Sequence, residues 1–544
     1  MNVTVEDTSL LPTLVARWPL VFTALITLIP VIAAKWGFKK DRLGHIPSVG
    51  AGRTKEQRRQ EFMAPGGARR LYREGYEKFK GRAFQIMTAS GRLYLFCLSM
   101  MTDVSLNQAK QTITELPTVV IPPKFIPELK KLSDTVLGFQ EATDEAINNQ
   151  YLDIPTDTTM LAHTVKVSLT PALARLSPAI AAEVTHAIDT ELPPCKDWTE
   201  VPINNKLFRI VAMASGRVFV GPELCRNEAY LDTAINYTVD MVNAVLGVMG
   251  LPAWRRRFSS RRLPEVKKLF QRFKEAEDFL GPVVTARRDA MAKADYEKPD
   301  DMLQWLIDAQ DKSKNGSRND AELAIWQLGA SFTAIHTTTA TATNALYTLA
   351  SMQDIIPVLR EEIQEALVGS GNEFNNAALQ NMVKLESFLT ESMRTYPMSA
   401  ANAQRKVLRP FTLSNGQTIP AGVLIELPSA AVNMDDNLYP SSSQFDAFRF
   451  SKLRQSKVKA TEDGTEVGHL FSSVGQTSLN FGFGRHVCPG RFFASVEIKM
   501  IVAIILLNFD ILLAEGETER YKNIEIGVQS MPDPAKTIRL KRRS

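Results

Sequence analysis

The residues best suited to chemistry lie between Phe481 and Gly490, in the sequence FGFGRHVCPG. Its single cysteine, Cys488, stands among three glycines and a proline, and glycine permits a tight backbone turn around the sulfur. An apolar run with helix-forming composition begins at Arg491. Cys488 is therefore expected near a helix N-terminus, where free N–H groups and the helix dipole favour a thiolate. A thiolate held in a turn, with no second cysteine nearby, suits one side of a single metal centre.

Cys488 has two alternative interpretations besides the single metal centre. A lone cysteine in a glycine-rich turn is often only structural. A zinc site using His486 and Cys488 would need further ligands, and the chain has no CxxC or HxxxH motif to supply them. The other three cysteines, Cys97, Cys195 and Cys225, are far apart in the chain. They give no disulfide framework, so a reducing compartment is expected.

A second motif lies in a segment that predicts a long buried helix, from Asp320 to Met352. Asn319 or Asp320 can cap it, and apolar residues then recur over many turns. Within it lies FTAIHTTTATAT, which is unusually rich in threonine for a helix interior. Threonine hydroxyls can bond to the carbonyl one turn back and often bend a helix.

A third motif, ESMRTYP, places Glu391 and Arg394 three residues apart on one helix face. A surface ion pair with this spacing is common and contributes little to stability. Here the pair ends a helix before Pro397 and precedes the sequence FDAFRF. Between the two, Asn415-Gly416 separates strand-like runs, which is a strong signal for a β-hairpin.

Together, the three motifs resemble those of the cytochrome P-450 monooxygenases, whose haem-ligand loop reads Phe-x-x-Gly-x-(Arg/His)-x-Cys-x-Gly. Every fixed position is filled here, by Phe481, Gly484, His486, Cys488 and Gly490. The resemblance implies that Cys488 is the axial ligand of a haem b iron and that Phe481 shields its sulfur. His486 would balance a haem propionate. A thiolate ligand donates electron density to the iron and favours O–O cleavage.

The threonine-rich helix resembles the family's oxygen-activating helix, with the pattern (Ala/Gly)-Gly-x-(Asp/Glu)-Thr. Thr337 takes the threonine position and Ala334 the glycine position. The resemblance implies that Thr337 orders a water that delivers protons. His336 replaces the acid, which is a departure from the family pattern. A titrating imidazole could pass protons near neutral pH, or a neutral histidine could simply pack in the helix interface.

The resemblance also implies a buried structural cluster behind the haem loop, formed by Glu391, Arg394 and Arg449. Ala447 stands where the family usually has proline. Arg405 is placed where the family offers a cation to a haem propionate. Many members carry a Trp-x-x-x-Arg pair on the helix that corresponds to residues 162–176. That pair is missing here, and His163 and Lys166 are its nearest substitutes.

The N-terminal region predicts a membrane anchor. An uncharged run from Trp18 to Ala34 is followed by the cations Lys35, Lys39, Lys40 and Arg42. A run of this length is at the short end of what spans a bilayer, and the charge that follows it favours a cytosolic catalytic body. The predicted division is a lumenal segment 1–17, an anchor 18–34, a basic Pro/Gly hinge 35–54 and a catalytic domain 55–544. An amphipathic or signal-like segment is the alternative.

Several further elements are predicted along the catalytic domain. Helices are expected over residues 55–80, 162–176, 217–242 and 263–288, a strand over 92–98 and another close to the C-terminus. Between the last two of these helices, Trp254 to Arg262 mixes aromatic residues with five cations. Such a run is usually a solvated face, but the resemblance makes it a candidate contact with a membrane surface.

Composition limits the class of partner and the number of domains. With 64 basic and 59 acidic residues among 544, the charge balance indicates no nucleic-acid partner. No linker or repeat divides the middle of the chain, so one large body is expected. The resemblance implies a mainly α cytochrome P-450 fold with small β-sheets and one transmembrane helix.

The implied function is insertion of one oxygen atom from O2 into a C–H bond. The resemblance is greatest to fungal enzymes of secondary metabolism, near the kaurene-oxidase-like group, which suggests a hydrophobic terpenoid or indole-terpenoid substrate. It further implies electrons from NADPH–cytochrome P-450 reductase and a place in the endoplasmic reticulum membrane. Two alternatives stay open: a haem-thiolate isomerase or dehydratase that needs no reductase, and a haem-binding protein without turnover.

Overall fold

The computed structural model describes residues 43–50, 52–89, 115–312, 320–456 and 470–543. The chain divides into two compact units, Met1–Pro47 and Ser48–Ser544, with a boundary inside the predicted hinge 35–54. The predicted anchor 18–34 and the predicted strand 92–98 lie outside the described residues. Within the ranges given above, no helix is long and apolar enough to cross a membrane.

Helices dominate the second unit. In its first half they are α1 (Lys55–Met63), α2 (Gly67–Lys78), α3 (Ile126–Leu129), α4 (Phe139–Ala146), α5 (Asn149–Leu152), α6 (Thr159–Thr164), α7 (Thr170–Glu191), α8 (Ile203–Phe219) and α9 (Glu228–Gly250). In its second half they are α10 (Ala253–Ser259), α11 (Pro264–Ala290), α12 (Met302–Lys312), α13 (Asp320–Ser351), α14 (Ile356–Val368), α15 (Asn376–Asn381), α16 (Val383–Thr395), α17 (Ser429–Asn433), α18 (Arg449–Ser456) and α19 (Arg491–Asn508).

The strands are short and form small sheets. They are β1 (Phe84–Ala89), β2 (Glu115–Val120), β3 (Leu137–Gly138), β4 (Thr199–Val201), β5 (Asn402–Val407), β6 (Phe411–Thr412), β7 (Thr418–Ile419), β8 (Leu424–Leu427), β9 (Phe509–Leu513), β10 (Ile524–Ile526), β11 (Gln529–Met531) and β12 (Ile538–Arg542). The largest sheet has the order β1-β2-β8-β5-β3, in which only β2 and β8 are parallel. β4, β12 and β9 form a three-stranded sheet.

Helix α13 is the centre of the packing. Almost every residue from Leu323 to Ala350 is buried or partly buried, and α8, α9, α11, α16 and α19 all contact it. A helix that is apolar on every side is stable only when other elements surround it. Its bounds agree with the helix predicted over 320–352.

Two predicted helices are each broken by a turn. The predicted helix 55–80 is two helices, because Pro65 and Gly66 intervene and Gly66 has φ +67°. The single helix predicted over 217–242 is wrong as well, since α8 ends at Phe219 and α9 begins at Glu228. Gly221, with φ +85°, makes the turn between them. Periodicity alone missed both breaks because the flanking helices are themselves amphipathic.

The segment predicted as a helix over 162–176 is helical but irregular. Val165–Leu169 forms a π-helix between α6 and α7. Such π turns within helices are rare and often occur near functional sites. The other local predictions are confirmed. The Asn415-Gly416 hairpin joins β6 to β7 with Gly416 at φ +83°. Helix α11, from Pro264 to Ala290, matches the helix predicted over 263–288, and β12 is the strand near the C-terminus.

Candidate active site

The cysteine loop has the tight geometry that its glycines predict. Gly482 and Gly484 have φ values of +76° and +68°, a region that favours glycine over residues with a side chain. The turn brings the Cys488 N–H to the Phe481 carbonyl at 2.9 Å. Helix α19 begins three residues after the cysteine, at Arg491, whose side chain donates to the Cys488 carbonyl at 3.0 Å. The main chain of Cys488 is thus fixed at both its N–H and its carbonyl.

Two opposing effects act on the Cys488 thiol. Burial raises its pKa, while the N–H groups of Gly490 and Arg491 and the charge of Arg491 lower it. The net direction is upward, opposite to the shift expected from the helix N-terminus alone. Desolvation penalises the charged form of a buried group, and here this penalty exceeds the contribution of the helix terminus.

Arg405 is a buried cation beside this loop. It is 4 % exposed, its Nη1 donates to the Gln404 carbonyl at 2.6 Å, and its guanidinium lies over the rings of Phe139 and Phe483. Among the described residues, no carboxylate accepts a hydrogen bond from it. Burial lowers the pKa of Arg405 to about 10, and the charge of Asp134 opposes the shift.

His486 turns toward α4 and the loop that precedes it. Its ring stacks on Phe139 at 4.7 Å between centroids, and its Nε2 lies 2.8 Å from an Asp134 carboxylate oxygen. The Phe139 ring therefore contacts both His486 and Arg405.

The irregular helix segment reaches the same loop. Lys166, in the π-helix, donates to the Arg485 carbonyl at 3.3 Å. The side chain of His163 is exposed. Of the two weak substitutes predicted for the missing Trp-x-x-x-Arg pair, only Lys166 contacts the cysteine loop.

The structure brings Glu391, Arg394 and Arg449 together. The Glu391 carboxylate, 0 % exposed, accepts bonds from Arg394 Nε and Nη2 at 2.8 and 2.7 Å. Arg449 Nε lies 3.1 and 3.2 Å from the same two oxygens. The guanidinium groups also donate to main-chain carbonyls of Asn433 and Pro440. This is a buried, fully hydrogen-bonded ion cluster that joins α16 to α18 and to the chain between them.

Three threonines line one face of α13. Thr333, Thr337 and Thr341 are spaced four residues apart, and each hydroxyl donates to a carbonyl one turn back, at 3.1, 2.8 and 2.8 Å. Thr333 is exposed, Thr337 is partly buried and Thr341 is buried. Ala334, at the glycine position of the predicted motif, is partly buried beside them.

His336, unlike Thr333, is buried. It is 1 % exposed, its Nε2 lies 3.1 Å from the Ile235 carbonyl in α9, and its ring makes an edge contact with Phe208. Burial lowers the pKa of His336 to about 4, against the opposing effect of the Ile235 bond. A neutral imidazole that donates to a carbonyl of a neighbouring helix fits the packing interpretation better than the relay.

Glu497 is a polar residue of this region that sequence reasoning missed. It is 0 % exposed in α19 and accepts a bond from Ser215 of α8 at 2.7 Å. Burial raises the pKa of Glu497 to about 8, and hydrogen bonds from Ser215 and Thr338 oppose the shift. Thr338 belongs to α13, so one carboxyl group lies where three helices meet. A glutamate placed nine residues after the cysteine inside an apolar run was the available signal.

Comparison with known proteins adds an independent finding. The family model described as Cytochrome P-450 matches residues 161–539. Cytochrome P-450 monooxygenase ATR3 of Stachybotrys chlorohalonatus is 39% identical over 86% of this chain and 97% of its own length. Cytochrome P-450 monooxygenase braC of Annulohypoxylon truncatum is 32% identical over 98% of this chain and 99% of its own length.

A solved structure supports the fold. Retinoic acid bound cyanobacterial CYP120A1 is 17% identical, with a TM-score of 0.58 over 79% of this chain and 90% of that chain. At this identity the likeness concerns the fold alone.

The first prediction concerns the buried cluster. Glu391→Gln keeps the shape of the side chain but leaves two buried guanidinium groups without a countercharge, which should lower the free energy of unfolding by about 3–5 kcal/mol. Urea unfolding followed by far-UV circular dichroism measures the loss. The matched control is Glu77→Gln, which removes the exposed pair with Arg73 and should cost less than about 1 kcal/mol. Equal small losses in both variants would show that Glu391 forms only a weak pair.

The second prediction concerns Glu497. Because its folded pKa is raised from 4.5 to about 8, the folded state holds a proton that the unfolded chain has released, and stability should fall as pH rises between these two values. Glu497→Gln removes this titration, so its stability relative to the parent protein should improve steadily from pH 5 to pH 8. Unfolding midpoints across this range provide the measurement, with the exposed Glu361→Gln as control. A constant difference at all pH values would contradict the raised pKa.

Proposed function

This chain belongs to the cytochrome P-450 family, as a haem-thiolate monooxygenase, and from that premise we propose that it inserts one oxygen atom from O2 into a C–H bond of a hydrophobic small molecule. The proposal adds NADPH–cytochrome P-450 reductase as electron donor and a terpenoid or related secondary metabolite as substrate. The observation that carries it is the Phe481–Gly490 loop, which holds a single, partly buried cysteine just before the start of α19.

The residues around this loop fit a haem. Cys488 offers a thiol that a bound iron would convert to thiolate, and Arg405 is a buried cation without a carboxylate partner among the described residues. A propionate would supply that missing anion. Haem, when bound, supplies the activation of O2.

The chain's own residues then have separate tasks. Cys488 would hold the iron, and Arg405 and His486 would offer positive charge to the propionates. Phe481 and the glycines shape the loop around the sulfur. Thr337, with its oxygen on the partly exposed face of α13, orders water for proton delivery. His336 supports α13 against α9 through the Ile235 carbonyl and is proposed to pack rather than to carry protons.

We also propose attachment to the endoplasmic reticulum membrane through residues 18–34, with the catalytic body in the cytosol. The α10 region supports a second contact, because Trp254 and Phe258 are 71% and 76% exposed beside a series of arginines. Exposed aromatic rings with cations suit the interface of an anionic lipid surface.

The third prediction tests the thiolate. Reduced holoprotein treated with carbon monoxide should show the red-shifted Soret band typical of thiolate-bound haem. Cys488→Ser replaces the soft anionic ligand with a hydroxyl, so this band should disappear. Cys195→Ala, a buried cysteine outside the loop, is the control and should keep it.

The need for NADPH distinguishes the proposed reaction from its alternative in the same preparation. With NADPH and a reductase, a monooxygenase oxidises NADPH and consumes O2. A haem-thiolate isomerase or dehydratase would keep the carbon monoxide band but turn over without NADPH. A variant Cys488→Ser that retained the band would overturn the assignment of the ligand.

The fourth prediction concerns the membrane. Deleting residues 1–40 should leave a protein that binds haem but is released from microsomes by alkaline carbonate. Attachment that survives the deletion and is lost on adding Trp254→Ala and Phe258→Ala would assign the remaining contact to the α10 region. The proposed orientation is wrong if protease added to intact microsomes leaves the catalytic body uncut.

A further inference from the structure

We propose that Thr333 is a second positioning residue for proton delivery, holding a water one helical turn from Thr337. This inference rests on the proposed function. In the sequence motif Thr333 stands at a position where the family has alanine or glycine, so its hydroxyl is an addition in this chain.

The exposure pattern of α13 is the first observation. Between Leu323 and Ala350, Thr333 is the one residue classed as exposed, while its neighbours are buried or partly buried. Thr337 lies one turn further on the same face and is partly buried. The accessible end of this threonine face is therefore at Thr333.

The hydrogen bonds of the two hydroxyls are the second observation. Thr333 donates to the carbonyls of Gly329 and Ala330 at 3.1 and 3.0 Å, and Thr337 donates to the carbonyl of Thr333 at 2.8 Å. A hydroxyl has one proton and two acceptor positions. With both protons directed to the helix backbone, each oxygen presents acceptor positions to water.

The spacing allows the two waters to meet. Side chains four residues apart on a helix are separated by about 5–6 Å at Cβ, a gap that two hydrogen-bonded waters can span. The water on Thr333 would pass a proton to the water on Thr337. No carboxylate of α13 can replace this step, since its acidic residues, Asp320 and Glu322, lie in its first turn.

His336 is directed elsewhere. Its Nε2 is occupied by the Ile235 carbonyl of a neighbouring helix, and its ring packs against Phe208. The position that holds an acid in the family pattern therefore joins α13 to α9, and the hydroxyl of Thr333 takes over the task of holding water.

The chemistry of the test needs no identified substrate. Without substrate, NADPH + H⁺ + O2 gives NADP⁺ + H2O2 when proton delivery is disordered and reduced O2 is released as peroxide. With ordered proton delivery, 2 NADPH + 2 H⁺ + O2 gives 2 NADP⁺ + 2 H2O. The share of electrons recovered as peroxide therefore reports on proton delivery.

The experiment measures this share in haem-loaded full-length protein with NADPH and reductase. Thr333→Val removes the hydroxyl and keeps the shape, so we expect water formation to fall by about tenfold or more, as in Thr337→Val. Thr333→Ser should restore it. The matched control is Thr190→Val in α7, whose hydroxyl makes the same bond one turn back, to the His186 carbonyl.

A second readout does not depend on turnover. A crystal structure of the haem-loaded protein should show an ordered water within about 3.2 Å of Thr333 Oγ1, and the Thr333→Val structure should lack it. Thr333→Val should also keep the carbon monoxide band and the unfolding midpoint, which excludes a general loss of structure.

Three results would overturn the inference. One is a parental peroxide share in Thr333→Val together with a raised share in Thr337→Val. Another is a raised share in His336→Gln but not in Thr333→Val, which would assign the task to the imidazole. An intact carbon monoxide band without any NADPH oxidation would instead overturn the proposed function, and the Thr333 inference with it.

Discussion

The carboxylate of Glu391 is the contact on which the frame of the site depends. Two guanidinium groups share its oxygens, and both also bond to main-chain carbonyls, so the cluster fixes backbone as well as side chains. Burying three charges is expensive, and apolar residues of the same volume would often be at least as stable. The charges contribute geometric specificity, because a guanidinium group that donates two hydrogen bonds fixes the position of its partner. The segment 434–448, which has no helix or strand and lies between α17 and α18, is thereby held in one conformation.

Helix α13 is buried and nevertheless carries many polar side chains. Thr337, Thr341 and Thr343 donate their hydroxyl protons to the helix's own carbonyls, so these protons need no acceptor on another element. Such bonds compete with regular helix geometry. Packing against six other helices, α8, α9, α11, α12, α16 and α19, offsets this cost. One side of the helix carries hydroxyls and is exposed at Thr333. Other sides make the contacts of His336 with α9 and of Thr338 with Glu497. A single element thus links the proposed chemistry to the helices around it.

Motif residues could be predicted from the sequence more readily than the elements that connect them. The cysteine turn, the long helix and the Glu391 pair each follow from residue types at fixed spacing, and local rules of backbone and charge suffice for them. The breaks at Gly66 and Gly221 were missed because amphipathic runs on both sides mask a short turn. Glu497 and Asp134 were missed for another reason: their partners are distant in sequence, and nothing local shows that Ser215 or His486 will face them. The π-helix that directs Lys166 to the cysteine loop is likewise a product of tertiary packing.

The pKa shifts of Cys488 and Arg405 have a common cause, and one bound group would act on both. Desolvation raises the pKa of the partly buried Cys488 thiol, and it lowers the pKa of the buried Arg405 guanidinium. Each group by itself is therefore shifted toward its neutral form. A haem would reverse both shifts, since its iron attracts the thiolate and its propionates attract the guanidinium. The same bound group would therefore stabilise the charged forms of both side chains, which couples cofactor binding to the stability of the loop.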